Sequence, residues 1–394
     1  MNGDSTLLFV SHVNPVLRSG GNEVRILKMI QWLKSEGMKV VLLLNRPALS
    51  AEMEKKLLAL VDHVYTPDRC AAPLHRKIRN ATKRWFCGKT PPETESEKIR
   101  ANLGSDYLGQ AAGILCREYS PRAVVAEYVF ATPCFREVPQ GVLKIVDTHG
   151  VFSRRRPEDP TYCSREEERS YLLNADVVLA IQEEEADCFR SLVPERRVVT
   201  VGVDFDIAGK EPSGGGPGNT VMVVGTNYPA NVEGLKGFCE EAWPIVRREN
   251  PGAELLVAGK IREAIDAEIP QVKVLGWVDD LQALYRRASV VINPTMTGVG
   301  LKIKTVEALC NGMALVATPN AVEGLAFPEG EPPCMVCGNW PEFAAAVVSL
   351  LGNGERRRSL QESALRFARR HFAAKNVYAP LRDVLGDAAA GGVG

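Results

Sequence analysis

Two doubly wound α/β domains in tandem are predicted by three features of the sequence. Short apolar runs alternate with longer amphipathic segments nearly throughout, the pattern of parallel strands covered by helices on both faces. The alternation breaks once, at 210–219, which reads KEPSGGGPGN, and then restarts. The chain has 394 residues, enough for two such domains.

Taken in order, the apolar run 7–11 reads as a buried strand. Residues 23–35 follow as a helix, because Val24, Leu27, Ile30, Trp32 and Leu33 recur near helical spacing. A strand at 40–44 comes next, then strands at 124–126, 143–146 and 177–181 with helical material between them. The Gly/Pro-rich stretch cannot form a packed element and reads as a hinge. Beyond it lie strand 221–224, helix 232–248, strands 255–258 and 272–275, helix 281–287, strand 290–293, helix 303–310 and strand 314–317. Helices near 340–351, 356–372 and 376–385 follow, and the last residues read as frayed. The expected division is therefore a first domain over 1–205, a linker over 206–218 and a second domain over 219–370. A C-terminal helix over 371–387 is expected to pack back on the first domain, ahead of a tail over 388–394. Ligands of such sheets bind at the carboxyl ends of strands, and two facing sheets make a cleft.

Composition excludes several classes of function. Apolar residues at 45% and charged residues at 24% fit a globular protein rather than a disordered, fibrous or disulfide-rich one. The 48 Lys and Arg equal the 48 Asp and Glu, so a general nucleic-acid binder is not expected. That neutrality is a cancellation, because residues 1–89 hold 15 basic against 7 acidic side chains. The longest strictly apolar run, 343–348, is too short to span a bilayer. The first residues lack the basic region and apolar core of a secretory signal, so a cytoplasmic location is expected. Ten scattered cysteines, most in apolar stretches, suit a reducing compartment. Cys334 and Cys337 form a CxxC with no second ligand pair in sight, which reads as a strand with two buried cysteines rather than a zinc site.

The most informative segment runs from Asn293 to Gly312. A strand ends at Asn293, a loop with Gly298 and Gly300 follows, and a helix begins. Two glycines allow close backbone approach to a ligand, and a helix N-terminus favours an anion such as a diphosphate. Lys302 and Lys304 add positive charge there, and Glu307 lies one to two turns further on, placed to accept from vicinal hydroxyls. An ordinary strand–turn–helix with two surface lysines has the same pattern.

This segment, with Ala321-Val-Glu-Gly-Leu325 downstream, resembles the nucleotide-sugar loop of family 4 retaining glycosyltransferases of the GT-B fold, in the subgroup with a Gly-Leu-Lys-Ile-Lys loop. Gly276-Trp-Val-Asp-Asp-Leu281 and Val224-Gly-Thr-Asn-Tyr-Pro-Ala-Asn-Val-Glu-Gly234 are similar to preceding elements of that family. Ser19-Gly20-Gly21 looks like its glycine-rich first loop, Asp147-Thr-His-Gly-Val-Phe-Ser-Arg-Arg155 like its histidine loop, and Ala175-Asp-Val-Val-Leu-Ala-Ile-Gln-Glu183 like its strand before the hinge. The resemblance implies two Rossmann-like domains facing across a cleft. It implies a retaining transfer of a hexosyl unit from a nucleotide-diphosphate sugar, with UDP or GDP as carrier. The acceptor class is a cell-envelope glycan, polysaccharide or lipid-linked sugar. Neither a metal nor another cofactor is implied, and the chain has no Asp-x-Asp motif to hold one.

Residue by residue, the resemblance places the donor diphosphate at Gly225, Thr226, Gly298, Gly300, Leu301, Lys302 and Lys304, and the ribose at Glu307. Glu307 matches the second glutamate of the family's paired motif, and the first would fall at Val299. No basic residue follows Gly225-Thr226-Asn227 before Lys236, so Lys302 and Lys304 take that part. Trp277 and Val278 would contact the base through their backbone. His149 is the candidate catalytic residue beside the transferred sugar, with Asp147 to orient its ring. Gly20, Gly21 and Arg155 would meet acceptor or phosphate. Domain closure about the hinge would then align the reactants. The implied mechanism is front-face attack assisted by the leaving phosphate.

Residues 74–89 hold six Lys or Arg and no acid, ending near Trp85 and Phe86. Such a segment suits an anionic membrane surface or a solvated basic helix, so a peripheral place on the inner membrane face is an expectation. A GT-B epimerase or hydrolase, or a non-catalytic nucleotide- or partner-binding subunit, is the alternative.

Overall fold

The computed structural model describes residues 5–17, 20–46, 48–70, 106–209, 218–261, 269–298, 300–328 and 332–389. The basic segment 74–89, most of the expected linker, Val299 and the last five residues lie outside the described residues. Two compact units emerge. One takes residues 1–17, 22–201 and 378–394, and the other takes 18–21 and 202–377.

The first unit carries seven parallel strands: β1 (Thr6–Ser11), β2 (Lys39–Leu44), β3 (His63–Tyr65), β4 (Ala123–Glu127), β5 (Leu143–Asp147), β6 (Val177–Ala180) and β7 (Arg197–Thr200). Their order is β3-β2-β1-β4-β5-β6-β7, so it reverses between β1 and β4. Every side chain of β1 and β4 is buried, as expected where helices cover both faces of a parallel sheet. β3 and β7 carry mostly exposed or half-buried side chains, which is why no apolar run announced them. The helix Gly21–Ser35 buries Ile26, Met29, Ile30, Trp32 and Leu33, and with them the charged Arg25. The helix Ala379–Ala389 belongs to this unit. Just before it, Tyr378 stacks on Trp32 at 4.6 Å, and Arg382 lies over the same indole while pairing with Glu36 at 2.8 Å.

The second unit carries β8 (Thr220–Val224), β9 (Glu254–Ala258), β10 (Val272–Gly276), β11 (Val290–Asn293), β12 (Leu315–Ala317) and β13 (Met335–Val336) in the order β10-β9-β8-β11-β12-β13. Here the reversal falls between β8 and β11. Val221, Val223, Leu255, Trp243 and Phe343 pack on one face, and Met222, Leu256, Ala258, Leu309 and Phe367 on the other. Cys334 packs in the second layer and Cys337 in the first, so the two side chains face opposite sides of the sheet. Val203, Phe205 and Ile207 join the second layer, and Ala208 N–H donates to the Cys310 carbonyl at 2.9 Å. Residues 206–209, expected in the linker, therefore pack here, because alternate apolar side chains find a core.

The helix read as 232–248 is broken. It runs over Pro229–Gly237 and Trp243–Glu249 with a π-turn at Phe238–Ala242, just before Pro244, which has no N–H to give. Gly234 packs this helix tightly on the loop after β11, since a Cβ there would meet the Pro294 carbonyl oxygen at 2.2 Å. Gly234→Ala should destabilise the second unit by about 1–3 kcal/mol, the usual cost of overpacking, seen as a lowered thermal midpoint.

Candidate functional site

In the second unit, Gly225 and Thr226 follow β8, and Asn293, Pro294 and Thr295 end β11, the two strands at the point where the order reverses. That is where ligands of such sheets bind. The loop passes Gly298 at φ 110° and Gly300 at φ 83°, conformations glycine takes without strain, and enters the helix Ile303–Cys310. Lys304, in the first turn, ties these elements together. Its Nζ donates to Asn231 Oδ1 at 2.6 Å and Thr295 Oγ1 at 2.7 Å. The Thr295 hydroxyl donates to Asn293 Oδ1 at 2.7 Å, Asn293 Nδ2 to Thr305 Oγ1 at 2.7 Å, and the Thr305 hydroxyl to the Ala321 carbonyl at 2.7 Å. Asn231 Nδ2 donates to Thr226 Oγ1 at 3.0 Å.

Every partner of Lys304 is neutral, and among the described residues no carboxylate pairs with it. Burial, and then the charge of Lys302, bring its pKa down to about 7. A desolvated cation without a counter-ion is unfavourable, and an arriving anion relieves it. Lys302 is placed differently. It donates to the carbonyls of Gly300 at 2.7 Å and Gly298 at 3.2 Å and lies 3.4 Å from Glu323 Oε2, so its charge staples the loop and is compensated.

The other expected donor-site residues fall as follows. The Gly225 N–H donates to the Ala258 carbonyl at 3.0 Å, so it is not free for a phosphate, and Thr226 is tied to Asn231. Leu301 packs on the core. Glu307 hydrogen-bonds the buried Tyr285 hydroxyl, whose pKa is raised by burial and then by the Glu307 charge. Trp277 donates through Nε1 to Asp279 at 2.9 Å, and Val278 packs on the core beside it. Trp277, Tyr228 and Met296 stay exposed at the carboxyl ends of β10, β8 and β11, so apolar surface borders this sheet edge.

In the first unit, the ends of β1, β4 and β5 bring together groups distant in sequence. Asp147, fully buried, receives Arg25 Nε at 2.8 Å on Oδ2 and Arg25 Nη2 at 2.7 Å on Oδ1. Burial opposes ionisation of Asp147, but the charge and hydrogen bonds of Arg25 outweigh it and hold the pKa below the usual carboxylate range. His149 Nε2 lies 2.6 Å from Glu127 Oε2 and 3.4 Å from Asp147 Oδ2. Asp147, expected to orient the ring, lies within 3.4 Å of Nε2 while engaged by Arg25, and Glu127 is the nearer carboxyl at 2.6 Å. Burial, and then the Asp147 charge, push the Glu127 pKa well up. Burial dominates at His149 too, bringing it to about 4, so the imidazole is neutral at pH 7. Tyr128 stacks on His149 at 4.4 Å with 12° between planes, and His12 meets Tyr128 edge-on at 4.7 Å. Asn22 Nδ2 donates to the Tyr128 hydroxyl at 3.0 Å.

Arg155 lies over the Phe152 ring at 4.3 Å and donates to Thr161 Oγ1 at 2.5 Å, so it braces its own loop. Gly21 opens the first helix and takes no positive φ, which removes the tight-turn reason for a glycine there. Glu127, Asp147 and His149 could offer three ligand atoms to an ion. The Arg25 guanidinium already occupies Asp147 and would repel a cation, so this donor set does not fit one.

Arg25, Glu127, Tyr128, Asn231 and Thr295 were not expected at a site. Arg25 had a signal: it lies four and seven residues before Met29 and Trp32, on the buried stripe of its helix. Glu127 is an acid closing a strand that is otherwise apolar.

Residues 218–353, about a third of the chain, match the family described as Glycosyl transferases group 1. An uncharacterized 44.6 kDa protein of the cps region of Klebsiella pneumoniae is 25% identical over 173 residues, which are 41% of this chain and 44% of that one. Sucrose-phosphate synthase from Thermosynechococcus elongatus superimposes with a TM-score of 0.71 at 15% identity, over 98% of this chain and all of that one. The pneumococcal O-GlcNAc transferase GtfA, solved with UDP and GlcNAc, gives 0.69 at 10% identity, over 98% and 100%. At these identities the structural matches show the GT-B fold. No helix among the described residues is long and apolar enough to cross a membrane.

Proposed function

We propose that this chain, a glycosyltransferase by its group 1 domain and its GT-B fold, moves a hexosyl unit with retention from a nucleotide-diphosphate sugar to a cell-envelope glycan or lipid-linked acceptor. The observation that carries the reading is Lys304: a part-buried cation with only neutral partners, at the switch point of the sheet that carries the group 1 match. A diphosphate supplies the missing counter-ion. The UDP held by GtfA and the cps-region setting of the Klebsiella relative support the donor and acceptor classes.

In the proposed reaction the acceptor oxygen bonds to the anomeric carbon as the bond from that carbon to the phosphate oxygen breaks. The electron pair goes to the diphosphate, whose growing charge meets the Lys304 ammonium and the N–H groups opening the helix Ile303–Cys310. The acceptor proton passes to the departing phosphate. Glu307 receives the ribose hydroxyls, and His149 of the first unit contacts a hydroxyl of the sugar. The Lys304 ammonium would balance the charge of the leaving diphosphate without a divalent ion, so transfer is expected to persist in EDTA.

Calorimetry against UDP, GDP and ADP tests the donor claim, and no binding by any of the three would sink it. Glu307→Ala should weaken the nucleotide that binds by about tenfold, in line with losing about 1.5 kcal/mol of hydrogen bonds to a charged group. Unchanged affinity would remove Glu307 from the site.

A further inference from the structure

The proposed role of His149 leaves open which ring nitrogen serves the ligand, and the groups behind the ring answer it. Glu127 ends β4 and is register partner of Asp147 at the end of β5. Both carboxyls are fully buried and side by side. Two adjacent carboxyls in such a place keep one proton between them. Arg25 holds Asp147 as the anion, so the proton resides on Glu127. Among the described residues Glu127 Oε1 has no hydrogen-bond partner, while Oε2 lies 2.6 Å from His149 Nε2 and accepts.

The backbone adds an independent observation. Tyr128 at φ 73° and His149 at φ 60° are both in the left-handed region, where non-glycine side chains are strained. These two strained residues are the stacked pair of rings. The stack holds the plane of the imidazole, and Glu127 holds its rotation. No described residue hydrogen-bonds Nδ1.

We propose that Glu127 is a positioning residue: it accepts the Nε2–H of His149, fixes that tautomer, and leaves the Nδ1 lone pair to accept a hydrogen bond from a hydroxyl of the transferred sugar. The polarity runs from His149 Nε2 to Glu127 Oε2, while Arg25 donates to Asp147. The proposal rests on the glycosyltransferase reading of His149 only for the identity of the ligand.

Nitrogen-15 spectra of the histidine rings in the full-length protein test it. The wild type should show His149 with a pyrrole-type Nε2 and a pyridine-type Nδ1, unchanged from pH 8 down to about 5. Glu127→Gln should keep this pattern, because the amide carbonyl still accepts from Nε2. It should also keep the transfer rate within about threefold. Glu127→Ala should average the two shifts and lower kcat by about 10- to 100-fold, with the KM for donor little changed. A pyrrole-type Nδ1 in the wild type, or a Gln variant as inactive as the Ala variant, would overturn the proposal. Should the Ala variant fail to fold, the wild-type spectrum and the Gln variant still decide. Transfer that survives His149→Ala would instead refute the role of His149 and leave the tautomer assignment standing.

Discussion

Lys304→Met should all but abolish donor binding while leaving the protein folded. The expected loss is about 2–4 kcal/mol, roughly 30- to 1,000-fold in affinity, as for removing one member of a desolvated charge pair. The stem of methionine fills the place of the lysine, and Thr295 and Thr305 still reach their own acceptors. The thermal midpoint should shift little, because the variant removes an uncompensated cation at the same time as it leaves Asn231 Oδ1 with only the Thr295 hydroxyl at 3.5 Å. Lys302→Met should act otherwise. It loosens the glycine loop by freeing the carbonyls of Gly298 and Gly300, and it leaves the pairing site of the anion in place.

The lowered pKa of Lys304, about 7, gives that result a pH signature. Below pH 7 the ammonium is already present in the free protein. Above pH 7 binding must take up a proton, so affinity for a nucleotide-diphosphate sugar should fall as pH rises from 7 to 9, by up to tenfold per unit. The diphosphate diester of such a donor has no titration of its own in this range. Calorimetry in two buffers of different ionisation enthalpy reads the proton uptake directly, and Lys304→Met should abolish it.

The largest effect on stability is expected at Asp147. Asp147→Ala leaves the Arg25 guanidinium buried and unpaired, which costs about 3–5 kcal/mol. In a unit of this size that lowers the thermal midpoint by about 10 °C. The double variant Arg25→Met with Asp147→Leu should recover much of the loss, because the cost lies in the stranded charge rather than in the missing attraction. Differential scanning calorimetry of the three proteins checks this, and a double variant no better than the single would refute it. The wild-type contribution of Asp147 also has a sign in pH. Its folded pKa is held down, so the contribution is fully present above the unfolded carboxylate range and is lost as pH falls through the folded value.

The sheets were legible mainly through strands buried on both faces, which read as apolar runs, β1, β4, β11 and β12 among them. The edge strands β3 and β7 were not, since half-exposed positions carry no such run. At the second unit, two lysines at a glycine-loop helix start could be read from order alone. Which of them lacks a counter-ion could not, because that depends on Glu323, about twenty residues onward. At the first unit His149 was legible and its surroundings were not. Arg25, Glu127 and Tyr128 come from three separate elements, and only the parallel register of β1, β4 and β5 makes them neighbours.

The return of the chain to the first unit at Tyr378 sets an order of assembly during synthesis. Residues 202–377 can close their own core as soon as they emerge. The first unit has all seven of its strands by residue 201, yet the Trp32 ring stays uncovered until Tyr378 and Arg382 arrive. A nascent chain therefore completes its later half first and holds an unfinished, sticky helix face for the whole time the second half takes to be made. Chains stopped before 378 should be captured by hydrophobic-surface chaperones through that face, and adding 378–389 in trans should release them.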